Sequence, residues 1–142
     1  MIVRWGLPEL PATLREVGIE QPLVIATQRW QSLGLPHADW WSQVPSDDIE
    51  VPHEVDGIVA VGGGSAIDLG KYASADSGKP VVHVPTTYSG AEWTTFYGIR
   101  TPDRRIFKMT RVRLQQLFLR LDGRGLTFKV GVGREARRGI RT

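Results

Sequence analysis

Val61-Gly62-Gly63-Gly64-Ser65 constrains this chain more than any other stretch. Asp56-Gly57-Ile58-Val59-Ala60-Val61, just ahead of it, is a continuous apolar and β-branched run, as expected of a strand buried on both faces. Ser65 to Ala75, just behind it, reads as a helix with Ala66, Leu69, Gly70 and Ala73 on one face. Lys79-Pro80-Val81-Val82-His83-Val84-Pro85 then reads as another buried strand. Strand, helix and strand within about thirty residues make a βαβ unit, with parallel strands and a right-handed crossover.

The remaining elements extend that unit. Pro22-Leu23-Val24-Ile25-Ala26-Thr27 is a third apolar strand. Leu7, Leu10, Leu14 and Val17 recur at helical spacing, Pro8 and Pro11 confine the start to near Pro11, and Gly18 ends the helix. From there to Pro52 only a short helix near Arg29–Leu33 is expected, in a stretch that also holds Trp30, Trp40 and Trp41. Thr95–Arg100 and Arg104–Met109, separated by Thr101-Pro102-Asp103, read as a hairpin turning at Pro-Asp. The expected architecture is α/β: a doubly wound, mostly parallel sheet with flanking helices and a β-hairpin.

Glycines at the end of a parallel strand allow a tight turn and let backbone N–H groups approach an anion closely. The following helix aims its unbonded N–H groups and its positive dipole end at the same place. A plain tight turn or a glycine linker is the competing reading, and position at a strand's carboxyl end argues against the linker. Ser65 and Asp68 also have capping-box spacing, which would make Asp68 a helix-capping acid and Lys71 its solvated partner on the next turn. The second loop, Val84-Pro85-Thr86-Thr87-Tyr88-Ser89-Gly90-Ala91-Glu92-Trp93-Thr94, again follows a strand and is dense in hydroxyls that can donate to phosphate or ribose oxygens. Two such loops at the ends of neighbouring parallel strands face one crevice.

Gly62-Gly63-Gly64-Ser65-Ala66-Ile67-Asp68-Leu69-Gly70-Lys71 followed by Pro85-Thr86-Thr87-Tyr88-Ser89-Gly90-Ala91-Glu92-Trp93-Thr94 resembles the iron-containing alcohol dehydrogenase family. The branch it is most similar to is the maleylacetate reductases, whose second loop reads Pro-Thr-Thr-Tyr-x-Gly-x-Glu-x-Thr. The opening Arg4-Trp5-Gly6-Leu7, with Leu10-Pro11-Ala12 and Gly18-Ile19, also resembles that branch. The resemblance covers residues 1–110 and implies a Rossmann-like dinucleotide-binding domain for NAD or NADP. It implies that Gly62, Gly63, Gly64 and Ser65 hold the cofactor pyrophosphate. Asp68 lies near the nicotinamide end, supported by Lys71; Thr86 and Thr87 contact phosphate or ribose. Ser89, Glu92 and Thr94 line the nicotinamide crevice, and Lys108 reaches the ribose.

The same resemblance implies a following all-helical domain with metal ligands and much of the substrate pocket, which residues 111–142 do not resemble. His37, His53 and His83 show no ligand spacing and are read as structural, leaving no metal site visible. Ser46–Glu54 is shorter than the helix the family places before the glycine strand, so that sheet edge is expected to be stripped or rearranged. Thr27-Gln28-Arg29 follow the first of the three apolar strands with no acid to repel a 2′-phosphate. Gln28 can donate a hydrogen bond there and Arg29 can pair with a phosphate. Both NADH and NADPH are expected to bind.

Charge separates the two parts of the chain. Residues 1–110 carry 9 Lys+Arg against 13 Asp+Glu, a net −4, whereas residues 111–142 carry 9 against 2, a net +7. That second segment holds 8 of the 14 arginines and reads either as a shifted frame or truncation, or as a basic arm for nucleic acid. With little aromatic interleaving and no recognition motif, nucleic acid is the weaker reading. Val112–Leu121 has enough apolar positions for a last strand.

The expected function is therefore the NAD(P)-binding domain of an oxidoreductase, inactive by itself. The alternatives are a nucleotide-binding module without catalysis and a basic-tailed interaction protein. Zero cysteines exclude disulfides, thiolate zinc and cysteine nucleophiles. No apolar run approaches the roughly 20 residues of a membrane span, and the start lacks signal-peptide order, so a cytoplasmic location is expected. Apolar surface left open where further helices would pack makes a homodimer an expected partner state.

Overall fold

The computed structural model describes residues 2–4, 7–87, 89–91, 96–103, 106–111, 114–120 and 127–133. In chain order the elements are β1 (Ile2–Arg4), a 3-10 turn (Leu7–Glu9), α1 (Leu10–Glu16), β2 (Pro22–Ile25), a 3-10 helix (Gln28–Leu33) and β3 (Asp39–Trp41). Then follow β4 (Gly57–Gly62), α2 (Gly64–Ser77), β5 (Val81–Pro85), β6 (Phe96–Arg100), β7 (Ile106–Arg111), β8 (Leu114–Arg120) and β9 (Thr127–Gly133). Among the described residues no helix is long and apolar enough to cross a membrane.

The three apolar runs of the sequence are β2, β4 and β5, and they pair in parallel as expected. The seven-stranded sheet has the order β1-β8-β9-β5-β4-β2-β3. β3 also joins β2 in parallel, Leu23 opposite Asp39. β6 and β7 form a separate antiparallel hairpin, with Gly98 opposite Met109. The arginine-rich segment adds β8, within the expected strand region, and β9, which runs antiparallel to β5. From Trp41 to Gly57 no helix intervenes before the glycine strand, so that sheet edge does depart from the pattern the resemblance implies.

Alternating side chains of the central strands enter two cores. Val24, Val59, Val61, Val82 and Val84 pack with Leu10, Leu14 and Ile19 on the α1 side. Leu23, Ile25, Ile58, Ala60 and Val81 pack with Leu69, Ala73, Tyr97 and Ile99 on the α2 side. Covering on both faces explains why these strands read as continuous apolar runs. Tyr72 sits edge-on to Tyr97 with ring centroids 6.0 Å apart. Burial, then Asp76, Tyr97 and Asp47, push its phenol above the usual 10.0, so it stays neutral well into alkaline conditions.

Two charged side chains anchor the approach to β4. The Asp56 carboxylate accepts the backbone N–H groups of Glu20 and Gln21, each at 2.8 Å. Lys79 Nζ donates to the carbonyls of Pro52 (2.8 Å), His53 (3.3 Å) and Val55 (2.5 Å). These bonds give the helix-free segment ahead of β4 a fixed path.

Gly70 sets how closely α2 lies on the sheet. A Cβ placed there would come within 2.6 Å of Ala60 Cβ and 3.3 Å of His83 Cε1. Gly70→Ala is therefore expected to push α2 off β4 and to destabilise the domain by about 1–3 kcal/mol. Equilibrium urea unfolding checks this; parent-like stability would show that the helix can retreat without cost.

Candidate functional site

The strand order places the site. From β2 the chain crosses to β3 on one side, whereas from β4 it crosses through α2 to β5 on the other. The two crossovers diverge between β2 and β4, so a crevice opens at the carboxyl ends of those strands. Residues Thr27–Gln28 follow β2 there, and Gly62–Ser65 end β4 and begin α2.

Gly62 has φ +146°, and a Cβ on it would meet Ala66 Cβ at 2.8 Å. Only glycine suits that position. Gly63, at φ −78° and ψ −166°, caps α2 with ordinary extended backbone. Its carbonyl accepts the N–H groups of Ala66 and Ile67, both at 3.1 Å. The N–H groups of Gly64 and Ser65 precede any carbonyl one turn back and sit at the positive end of a 14-residue helix.

The second loop lies over this turn. Thr86 N–H donates to the Gly62 carbonyl at 2.8 Å. A Cβ on Gly63 would come 3.3 Å from Thr87 Cγ2, and one on Gly64 would come 3.4 Å from Ser89 Oγ. Thr86 is half-buried, while Thr87 and Ser89 are exposed. The absent side chains of Gly63 and Gly64 thus let a hydroxyl-bearing loop pack closely beside backbone donors and a helix N-terminus. That donor set fits a phosphate-bearing ligand.

Two readings of the motif are corrected. The capping box does not form: α2 begins at Gly64 with Gly63 as N-cap and no side-chain cap, which puts Ser65 inside the first turn. Asp68 instead accepts the Gly98 N–H on Oδ2 at 3.1 Å. Lys71 is not solvated; it is wholly buried, and its Nζ donates to the Ala91 carbonyl and to Asp68 Oδ1. Sequence reasoning missed Ala91 and Gly98, which act through backbone atoms and so leave no side-chain signal.

The other expected residues divide. Gln28 is exposed at the start of the 3-10 helix after β2. The Arg29 guanidinium lies 4.7 Å from the centroid of the Trp30 ring, a cation–π contact. Lys108 stands in β7 opposite Ile99 of β6. Glu92 and Thr94 lie outside the described residues. His37 Nδ1 bonds the Leu35 carbonyl at 2.8 Å, His53 is exposed, and His83 is buried in β5. Among the described residues no group of three or more His, Asp or Glu side chains is placed to hold a metal ion.

Comparison with known proteins agrees with this geometry. The pattern of the family described as iron-containing alcohol dehydrogenase matches residues 49–118, from just before β4 into β8. A maleylacetate reductase of Pseudomonas knackmussii is 33% identical over a match covering 66% of this chain and 32% of that protein. A glycerol-1-phosphate dehydrogenase [NAD(P)+] of Methanococcus vannielii is 33% identical over 56% of this chain and 25% of its own length. The crystal structure of an iron-containing alcohol dehydrogenase from Corynebacterium glutamicum superposes with a TM-score of 0.61 at 27% identity, covering 78% of this chain and 36% of that one. This chain therefore spans about a third of the length of the maleylacetate reductase it matches. The family pattern spans the glycine turn, α2, β5, the hydroxyl loop and the hairpin, and the chain belongs to the iron-containing alcohol dehydrogenase family, with maleylacetate reductases among its relatives.

Proposed function

We propose that these residues form the NAD(P)-binding part of an oxidoreductase of the alcohol dehydrogenase or maleylacetate reductase type. The observation that carries this is the close approach of Thr87 and Ser89 to the side-chain-free Gly63 and Gly64, which brings the hydroxyls of one loop beside the N-terminus of α2. The N–H groups of Gly64 and Ser65 would hold the pyrophosphate, with the hydroxyls of Thr86, Thr87 and Ser89 on phosphate or ribose. Gln28, beyond β2, would reach the ribose, and Glu92, Thr94 and Lys108 complete the site implied by the resemblance. When bound, the nicotinamide supplies hydride chemistry. The protein binds and orients it.

The family name implies iron, but among the described residues no group of three or more His, Asp or Glu side chains fits a metal centre. The names of the relatives suggest maleylacetate or an alcohol as the substrate. These residues alone are expected to turn over little or no maleylacetate, alcohol or aldehyde with NAD(P)H. Robust turnover by the purified chain would contradict that.

Arg29 already rests on Trp30, so a 2′-phosphate gains less from it than from a solvated arginine. Without an acid after β2, neither cofactor is repelled. NADH and NADPH are expected to bind within about a hundredfold of each other, a span of roughly 2.7 kcal/mol. A wider gap in favour of NADH would contradict the assignment at Gln28 and Arg29.

Gly63→Val tests the site itself. The backbone at Gly63 accepts a side chain, but the valine methyls would press on Thr87 and push the hydroxyl loop away from the helix N-terminus. Fluorescence titration is expected to show NADPH affinity reduced more than about a hundredfold, with a cooperative thermal melt retained. Binding like that of the parent would sink the dinucleotide reading.

A further inference from the structure

Lys71 and Asp68 lie one turn apart on α2, Lys71 reaching the hydroxyl loop and Asp68 the β6–β7 hairpin. Lys71 is 0% exposed and Asp68 is 24% exposed, with Nζ to Oδ1 at 3.4 Å. A fully buried ammonium is costly unless its donors are filled. Here they go to Asp68 and to the main-chain carbonyl of Ala91, twenty residues further along the chain. The other oxygen of Asp68 takes the backbone N–H of Gly98 in β6. Two side chains thus join three separate backbone segments.

Those segments wall the proposed crevice. Ala91 Cβ would lie 3.9 Å from a Cβ built on Gly64, so whatever fixes Ala91 fixes the gap above the glycine turn. The Ala91 N–H in turn donates to Ser89 Oγ at 3.4 Å. The accepted bond leaves the Ser89 O–H free of that contact as a donor. Lys71 therefore acts on Ser89 through Ala91, and Asp68 ties the same unit to the hairpin.

We propose that Lys71 and Asp68 are positioning residues: their ion pair, in which Lys71 is fully buried, latches the loop at Ala91 and strand β6 at Gly98 against α2, shaping the crevice without touching the cofactor. The consequence for affinity rests on the NAD(P)-binding reading; the latch itself does not. It departs from what the resemblance implies, namely that Asp68 lies near the nicotinamide end.

The test uses the full chain without and with cofactor. In apo protein, Lys71→Met keeps the apolar stem and removes the ammonium. Amide exchange at Thr86–Ala91 and Gly98 is expected to rise at least about tenfold, while Ile58–Val61 in β4 keep parent rates. Unchanged loop exchange, or an equal rise in β4, overturns the proposal. Asp68→Asn, at a part-exposed site, is the milder variant should Lys71→Met not fold; a loop as protected as in the parent overturns the proposal there too.

Because the chain contains no other cysteine, Lys71→Cys can be alkylated with 2-bromoethylamine in denaturant and refolded, restoring an ammonium at nearly the same reach. Loop protection should return. If it does not, with β4 protected as in the parent, the latch is wrong. With NADPH, each single variant is expected to lose about tenfold in affinity, and the double variant no more than about the larger single loss. A full additional loss from Asp68→Asn in the Lys71→Met background, with Gly98 exchange no faster than in Lys71→Met alone, would show direct contact with cofactor and overturn the proposal. If the parent fails to bind NADPH, the functional reading falls while the exchange experiment still decides the latch.

Discussion

Helix α2 sits on β4 with no side chain between Gly70 and the methyl of Ala60. Most of the domain follows from that contact. A closely seated helix carries Ala66, Leu69 and Ala73 into the sheet and fixes its own first turn at the strand's carboxyl end. There the first-turn N–H groups of Gly64 and Ser65, which have no carbonyl one turn back, lie beside the loop after β5. A helix lifted outward to admit a larger residue would aim the same groups elsewhere. Packing on one face of the sheet thereby decides the chemistry at its end.

The parts of the fold legible in the sequence were those buried on both faces. β2, β4 and β5 announce themselves because every position must be apolar, and α2 because its inward face must be small. The hairpin was legible through Pro102-Asp103. β3 was not: three residues, two of them tryptophans, give no period, and the strand exists because Leu23–Ile25 offer it an edge. β1 and β9 are likewise fixed by strands distant in sequence. The sequence alone carries no record of such pairing partners.

The site shows the same division. The glycines and hydroxyls were readable because their chemistry is local. The N-cap of α2 lies two residues ahead of Ser65, at Gly63, and that turns a capping serine into a first-turn serine. The roles of Asp68 and Lys71 depend on where Ala91 and Gly98 arrive in space, and any residue could have supplied those backbone atoms. Net charge is also a poor guide here. Residues 1–110 carry −4, yet the proposed ligand is an anion. Directed N–H groups at short range outweigh a diffuse charge that salt screens beyond roughly 10 Å.

Lys79 carries a consequence of a different kind. All of its partners between Pro52 and Val55 are main-chain carbonyls. The clamp therefore recognises a path of the chain and not the residues along it. Of the segment it holds, only Val55 is committed to the core, while His53 and Glu54 face water. Evolution can rewrite those two exposed positions freely and still inherit the same entry to the glycine strand, provided one lysine stays at the far end of α2.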